Sequence, residues 1–134
     1  MKDTPKIFRI PIDVSNLEEA TAFYSELLGN KGQQITDGNR HYFTCGSVIL
    51  ALIDTSAGKK KPKPMPNYIY FTVYNLEKVF KRAKALRCLL RHTIHGQPGG
   101  DIITRPWGER SFYAEDPDGN GLCFVDEKTV FTGK

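Results

Sequence analysis

Residues 10–18 read IPIDVSNLE and residues 69–77 read IYFTVYNLE. At a constant offset of 59 positions Ile10 falls on Ile69, Ile12 on Phe71, Val14 on Val73, and Asn16-Leu17-Glu18 on Asn75-Leu76-Glu77. In both copies apolar residues alternate with other residues at period two, the pattern of a strand with one face on a core. Each strand runs into an asparagine, whose side-chain oxygen suits the free backbone N–H groups of a first helical turn. In the first copy Glu19, three residues on, completes a capping box.

The stretch after Asn16 carries Ala20, Phe23, Tyr24 and Leu27 at helical spacing and stops at Gly29. The stretch after Asn75 repeats the pattern with Leu76, Val79, Phe80 and Ala83. Strand-like runs follow each helix. In the first half they span about Lys31 to Thr36, Arg40 to Cys45 and Ser47 to Asp54, with turn signals at Asp37-Gly38-Asn39 and Cys45-Gly46. In the second half they span about Leu89 to His95, Glu109 to Glu115 and Gly121 to Asp126, with a turn at Asp116-Pro117-Asp118-Gly119-Asn120 that is read as turn chemistry without a catalytic part. The chain therefore reads as an α+β domain made of two βαβββ modules.

At 134 residues the chain has the size of one domain. The expected organisation is a single domain with module 1 at about 6–54, a linker at 55–66 and module 2 at about 67–127. The linker, TSAGKKKPKPMP, lacks residues for ladder bonds or a core. A second long loop, Gly96 to Trp107, is rich in glycine and proline; it reads as a lid or binding element, or as a mobile connection. Lys59, Lys60, Lys61 and Lys63 account for the whole net charge of +4, so the remainder is balanced and a nucleic-acid-binding face is not expected. No apolar run is long enough to cross a bilayer, and MKDTPKIFRIPIDV breaks the pattern of a signal peptide; a cytoplasmic protein with no membrane partner is expected. Cys45, Cys88 and Cys123 are odd in number and widely spaced, which reads as free thiols.

Val14-Ser15-Asn16-Leu17, followed by Phe23-Tyr24-Ser25-Glu26-Leu27-Leu28-Gly29, resembles the opening of a vicinal oxygen chelate protein, of the glyoxalase/bleomycin resistance/dioxygenase superfamily. Trp107-Gly108-Glu109-Arg110-Ser111-Phe112-Tyr113, followed by Asp116-Pro117-Asp118-Gly119-Asn120-Gly121-Leu122, resembles that family's closing segment. The resemblance spans Ile7 to about Glu127. It implies curved mixed sheets forming a partly open barrel or cup with the helices outside, a small-molecule pocket on the concave side, and a homodimer.

The resemblance also implies where a divalent ion would sit in metal-dependent relatives, held by histidines and a glutamate on the first and last strands of each module. Here those positions hold Arg9, Ala51, Tyr68 and Cys123. A guanidinium, a methyl, a phenol and one thiol do not make that site, and no metal cofactor is expected. His92 and His95, three apart in an expected strand, point to opposite faces and would not chelate together. His41 and these two read as exposed or hydrogen-bonded side chains.

Strand alternation sets Ile10, Ile12 and Val14 under the helix and turns Arg9, Pro11 and Asp13 to the other side. The same rule gives Tyr68, Tyr70, Thr72 and Cys123 one shared, cup-facing side. Arg9, Tyr68, Tyr70, Trp107 and Cys123 are the candidate ligand-binding residues, suited to an organic ligand with an aromatic or anionic part. Taken singly, each also has a packing role: Arg9 in an ion pair, the tyrosines in the barrel or a dimer interface, Trp107 as anchor of the long loop. Two functions follow from the set. One is a metal-independent binding protein that sequesters or senses a small molecule. The other is a lyase, isomerase or dioxygenase relative with a displaced metal site, or acid/base chemistry from Tyr68, Arg9 or Cys123. A third reading has the lysine linker dock an acidic partner.

Overall fold

The computed structural model describes residues 2–35 and 38–133, the side chain of Ala57 excepted. Thr36, at the end of one expected strand, and Asp37, in the following expected turn, lie outside the described residues. The chain divides into two compact units, Met1–Lys63 and Pro64–Lys134, the boundary falling in the lysine–proline segment.

Unit 1 comprises β1 (Arg9–Val14), α1 (Leu17–Leu28), β2 (Gln33–Gln34), β3 (Arg40–Cys45) and β4 (Val48–Asp54), with sheet order β1-β4-β3-β2. β1 pairs with β4 in parallel, and the other ladders are antiparallel. The alternation read from the sequence is realised: Ile12 and Val14 are buried with Phe43, Leu50 and Leu52 on the side of α1, which contributes Ala20, Phe23, Tyr24 and Leu27. Asn16 Oδ1 accepts from Glu19 N at 3.0 Å, and Gly29 ends the helix in the left-handed region at φ 67°. Pro11, without an N–H, sits on the edge strand, where a missing ladder donor is tolerated.

Unit 2 repeats the plan with β5 (Tyr68–Val73), α2 (Leu76–Ala85), β6 (Thr93–Ile94), β7 (Gln97–Pro98), β8 (Ile103–Thr104), β9 (Arg110–Glu115) and β10 (Gly121–Asp126). The main sheet runs β5-β10-β9-β8, with β5 and β10 parallel. Asn75 caps α2 through Lys78 N, as Asn16 caps α1. Phe80 meets Phe112 edge-on, and Phe71 and Phe112 both stack on Phe124, which fixes α2 over one sheet face. Each sheet is an open, mixed four-stranded one with a helix on one face, and neither closes into a barrel.

Two local expectations are corrected. The strand expected over Leu89–His95 is an isolated antiparallel bridge from Leu89 to Ala114 and then Thr93–Ile94, which ends where His95 and Gly96 both take positive φ (54° and 75°) and form a two-residue hairpin turn to β7. The loop expected from Gly96 to Trp107 thus holds β7 and β8. Nor is the lysine–proline segment a plain tether, for each end is tied to its own unit: Lys63 N donates to Asp13 Oδ2 (3.0 Å) and Met65 N to Asn120 Oδ1 (2.9 Å).

The β9–β10 turn is held by side chains. Asp116 Oδ1 accepts from Asp118 N (2.9 Å) and Asn120 N (2.8 Å), while Asp116 Oδ2 accepts from Asn120 Nδ2 (2.8 Å). Asn120 is fully buried, so losing its amide removes one partner from the Asp116 carboxylate and the Asn120 acceptor from the Met65 N–H. Asn120→Ala is expected to cost about 2–4 kcal/mol, against about 1 kcal/mol for the exposed cap change Asn16→Ala. Urea unfolding of both variants measures this; equal losses would mean that the turn is held by its backbone alone.

Candidate functional site

The register of unit 2 decides which side chains share its second face. Tyr68 pairs with Gly121 and Tyr70 with Cys123; across β10, Cys123 pairs with Tyr113 and Val125 with Ser111. Directly paired residues point the same way. The face opposite α2 therefore carries Tyr68, Tyr70, Ser111, Tyr113, Cys123 and Val125. Tyr113 is its centre: its ring lies 4.9 Å from that of Tyr68 and 6.2 Å from that of Tyr70, both edge-on, and its hydroxyl shares a 3.1 Å hydrogen bond with Tyr70. Gly121 makes room for Tyr68, because a Cβ there would stand 2.5 Å from its ring.

Burial favours the neutral forms of Tyr68, Tyr113 and Cys123. Burial pushes the Cys123 thiol up to about 12, against the opposing pull of the Ser111 and Tyr113 hydroxyls and the Arg105 charge. Burial, then the bond to Tyr70, raises the Tyr113 phenol, and burial also raises Tyr68. Cys88 is pushed up to about 11 and Cys45 is raised, both by burial. Cys123 is thus a protonated thiol at neutral pH, a weak donor and not a nucleophile.

Sequence reasoning missed Arg105, which is only 2% exposed. Its Nε donates to Ser111 Oγ (3.0 Å), its Nη2 to the carbonyls of Ser111 (3.0 Å) and Asp101 (3.2 Å), and its Nη1 to that of Pro98 (3.4 Å). The guanidinium also lies 5.1 Å from the centroid of the Tyr113 ring. A buried cation held by neutral oxygens is costly to desolvate, and this one pins the long loop to the sheet. The Arg105-Pro106 pair inside a glycine-rich loop was its only trace in the sequence.

The loop delivers Trp107, whose Nε1 donates to Glu109 Oε1 (2.8 Å) and whose ring meets His95 edge-on at 4.9 Å. Glu109 Oε2 accepts from Phe131 N (2.8 Å). A cavity of 390 Å³ opens among Tyr70, Thr72, Trp107, Glu109, Val130 and Phe131. Of the expected ligand-binding residues, Tyr70 and Trp107 share this cavity, and Tyr68 and Cys123 flank Tyr113 next to Tyr70. A second concavity, 550 Å³, lies among Lys84, Arg87, Arg91 and His92, beyond the C-terminal end of α2, where cations offset the helix macrodipole.

Arg9 belongs to unit 1. There the face opposite α1 carries Arg9, Pro11 and Asp13 of β1, Ala51 of β4, and Arg40 and Tyr42 of β3. Arg9 is not in an ion pair among the described residues; its Nη1 donates to Tyr42 Oη (3.2 Å). The four positions of the expected metal set thus lie on corresponding faces, Arg9 and Ala51 in one sheet, Tyr68 and Cys123 in the other. His41 is on the opposite side, buried, with Nε2 donating to Lys31 O (2.9 Å).

The family model described as the Glyoxalase/Bleomycin resistance protein/Dioxygenase superfamily matches residues 6–124. The chain belongs to this superfamily. Among solved structures it is similar to lactoylglutathione lyase from Agrobacterium tumefaciens, at 22% identity and a TM-score of 0.64, covering 94% of this chain and 96% of that one. It is also similar to a glyoxalase-related enzyme from Fulvimarina pelagi (17% identity, TM-score 0.72, 93% and 90% covered). A third is a glyoxalase/bleomycin resistance protein from Albidiferax ferrireducens (18% identity, TM-score 0.67, 90% and 98% covered). Likeness at these identities establishes the fold alone. A search of curated proteins finds no significant match. No helix among the described residues is long and apolar enough to cross a membrane.

The superfamily's metal chemistry needs imidazole nitrogens and carboxylate oxygens. The residues at the corresponding positions do not fit it: Ala51 has no donor atom, Arg9 carries a positive charge, and Tyr68 and Cys123 offer a phenol and a thiol in place of imidazole and carboxylate.

Two outcomes follow. At about pH 8 a thiol with a pKa near 12 is ionised in about one molecule in ten thousand, so iodoacetamide should leave Cys123 unlabelled in the native protein and label it in denaturant, read by mass spectrometry. Arg105→Met should cost about 3 kcal/mol or more in unfolding free energy and shift the emission of Trp107, the sole tryptophan. A variant as stable as the parent, with unchanged emission, would mean that the loop is anchored by other contacts.

Proposed function

We propose that the chain is a metal-independent small-molecule-binding protein that sequesters or senses an organic ligand with an aromatic part. The observation that carries this reading is the 390 Å³ cavity between Tyr70 and Trp107. Tyr70 (52% exposed), Val130 (40%) and Phe131 (52%) leave large apolar surfaces there that a flat ligand would remove from water. The Tyr70–Tyr113 hydroxyl pair and the Glu109 carboxylate supply polar groups that would fix its orientation. Tyr68 and Cys123 support the floor beside Tyr70, and Arg9 offers charge on unit 1. The reading treats the two units as one cytoplasmic domain acting as a homodimer, without nucleic acid or membrane as partner; exposed Ile7, Phe8 and Tyr74 favour self-association.

The rival reading is a lyase, isomerase or dioxygenase relative with a displaced metal site, or with acid/base chemistry from Tyr68, Arg9 or Cys123, in which one group acts as a base and another as an acid. A thiol pushed up to about 12 and a raised phenol are already protonated at neutral pH, which argues against either as a base.

Anilinonaphthalenesulfonate, an aromatic anion, is a suitable probe. Chelator-treated protein is expected to bind one equivalent, raising probe fluorescence and melting temperature together. Tyr70→Ala and Trp107→Ala should each weaken binding by about tenfold. Retention of one manganese, iron, nickel or zinc ion per chain after loading and desalting, with probe binding only in the loaded form, would overturn the proposal.

A further inference from the structure

On unit 1, Tyr42 Oη accepts from Arg9 Nη1 at 3.2 Å and from Arg40 Nη1 at 3.4 Å. The pairing explains why they meet. β4 lies between β1 and β3, and Ala51, directly opposite both Pro11 and Tyr42, is a methyl over which the long flanking side chains converge. Arg9 is further steadied by the Phe8 and Tyr42 rings, 4.9 and 5.5 Å from its guanidinium carbon. Among the described residues neither guanidinium meets a carboxylate; the ion pairs found join Arg110 to Glu77 and Asp126. Asp13, the acidic residue on the same face, accepts from the Lys63 backbone.

Two cations directed at one oxygen repel each other, and each uses only one of its five N–H donors on Tyr42. The phenol feels both: its pKa is lowered, chiefly by the Arg40 hydrogen bond, with the Arg9 and Arg40 charges adding to it. With both guanidinium bonds arriving at its oxygen, the hydroxyl proton is left to point outward as a third donor.

We infer that Arg9, Arg40 and Tyr42 form an oxyanion-binding site on the unit 1 sheet, taking a carboxylate or phosphoryl group. Such a group converts the repulsion between the guanidiniums into two charge-assisted, fork-shaped contacts, and the phenol donates to it. The site extends the ligand-binding reading, because Arg9 enters both. Arg40 and Tyr42 enter only this one, so the two stand or fall separately.

The test uses the full chain at constant ionic strength, titrating inorganic phosphate and acetate against chloride. Phosphate, acetate or both should raise the melting temperature where chloride does not. Arg40→Met and Arg9→Met should each weaken anion binding by about tenfold or more, and Tyr42→Phe by less. Arg40→Lys, which keeps the charge and the fold but loses the fork, should also bind more weakly. Anion binding should return one tyrosine's alkaline titration towards its ordinary value, a change absent from Tyr42→Phe. Melting temperatures alike in phosphate, acetate and chloride, or an anion effect of equal size in Arg40→Met, overturn the inference, whatever the dye-binding cavity does.

Discussion

Strand register is the constraint on which the rest of this molecule depends. In unit 2, Tyr70, Cys123 and Tyr113 stand abreast on three neighbouring strands, and Phe71, Phe124 and Phe112 stand abreast one residue further along. A slip by one residue between any two strands would carry phenols into the helix interface and phenylalanines out of it. The stacked phenylalanine layer under α2 is thus what holds the tyrosines on their own side. In unit 1 the same logic sets buried Ile12, Leu52 and Phe43 against α1 and leaves Arg9, Ala51 and Tyr42 opposite. The repeated arrangement gives two faces of contrasting chemistry, neutral phenol and thiol in one unit and paired guanidiniums in the other.

Much of this was legible in the sequence because it rests on short-range rules. Period two fixed the faces of β1 and β5, and the two asparagines marked the helix starts through a local side-chain bond. Gly29 marked the end of α1 through its positive φ. These signals act over a few residues, so no knowledge of the rest of the fold is needed to read them.

What was not legible depends on contacts distant in sequence or on backbone states that residue types permit only weakly. His95 in the left-handed region is uncommon for a residue with a Cβ, and its hairpin ends β6 at Ile94. Gly99 and Gly100 have a related role. Cβ atoms there would collide with the carbonyls of His92 and Leu90, so the loop can lie against residues 89–92 only because both are glycine. Arg105 is the plainest case, for composition counts it as a surface charge and only the assembled loop supplies its acceptors. The convergence of Arg40 with Arg9 on Tyr42 spans 33 residues and needs the β4 register to appear.

The two kinds of arginine show how environment divides one residue type into different roles. Arg105 is enclosed, and four oxygens from Pro98, Asp101 and Ser111 consume most of its donors. Removing it would expose those carbonyls to an unfilled cavity, so its contribution belongs to loop placement and hence to where Trp107 stands. Its positive charge pulls the Cys123 thiol downward, yet burial of the thiol outweighs that pull, so the cation does not produce a thiolate. Among the described residues Arg9 and Arg40 each spend one donor on a shared, solvent-facing phenol. A guanidinium already saturated by carbonyls has little left to offer a ligand, whereas two unsaturated ones held over a small residue keep both charge and geometry in reserve.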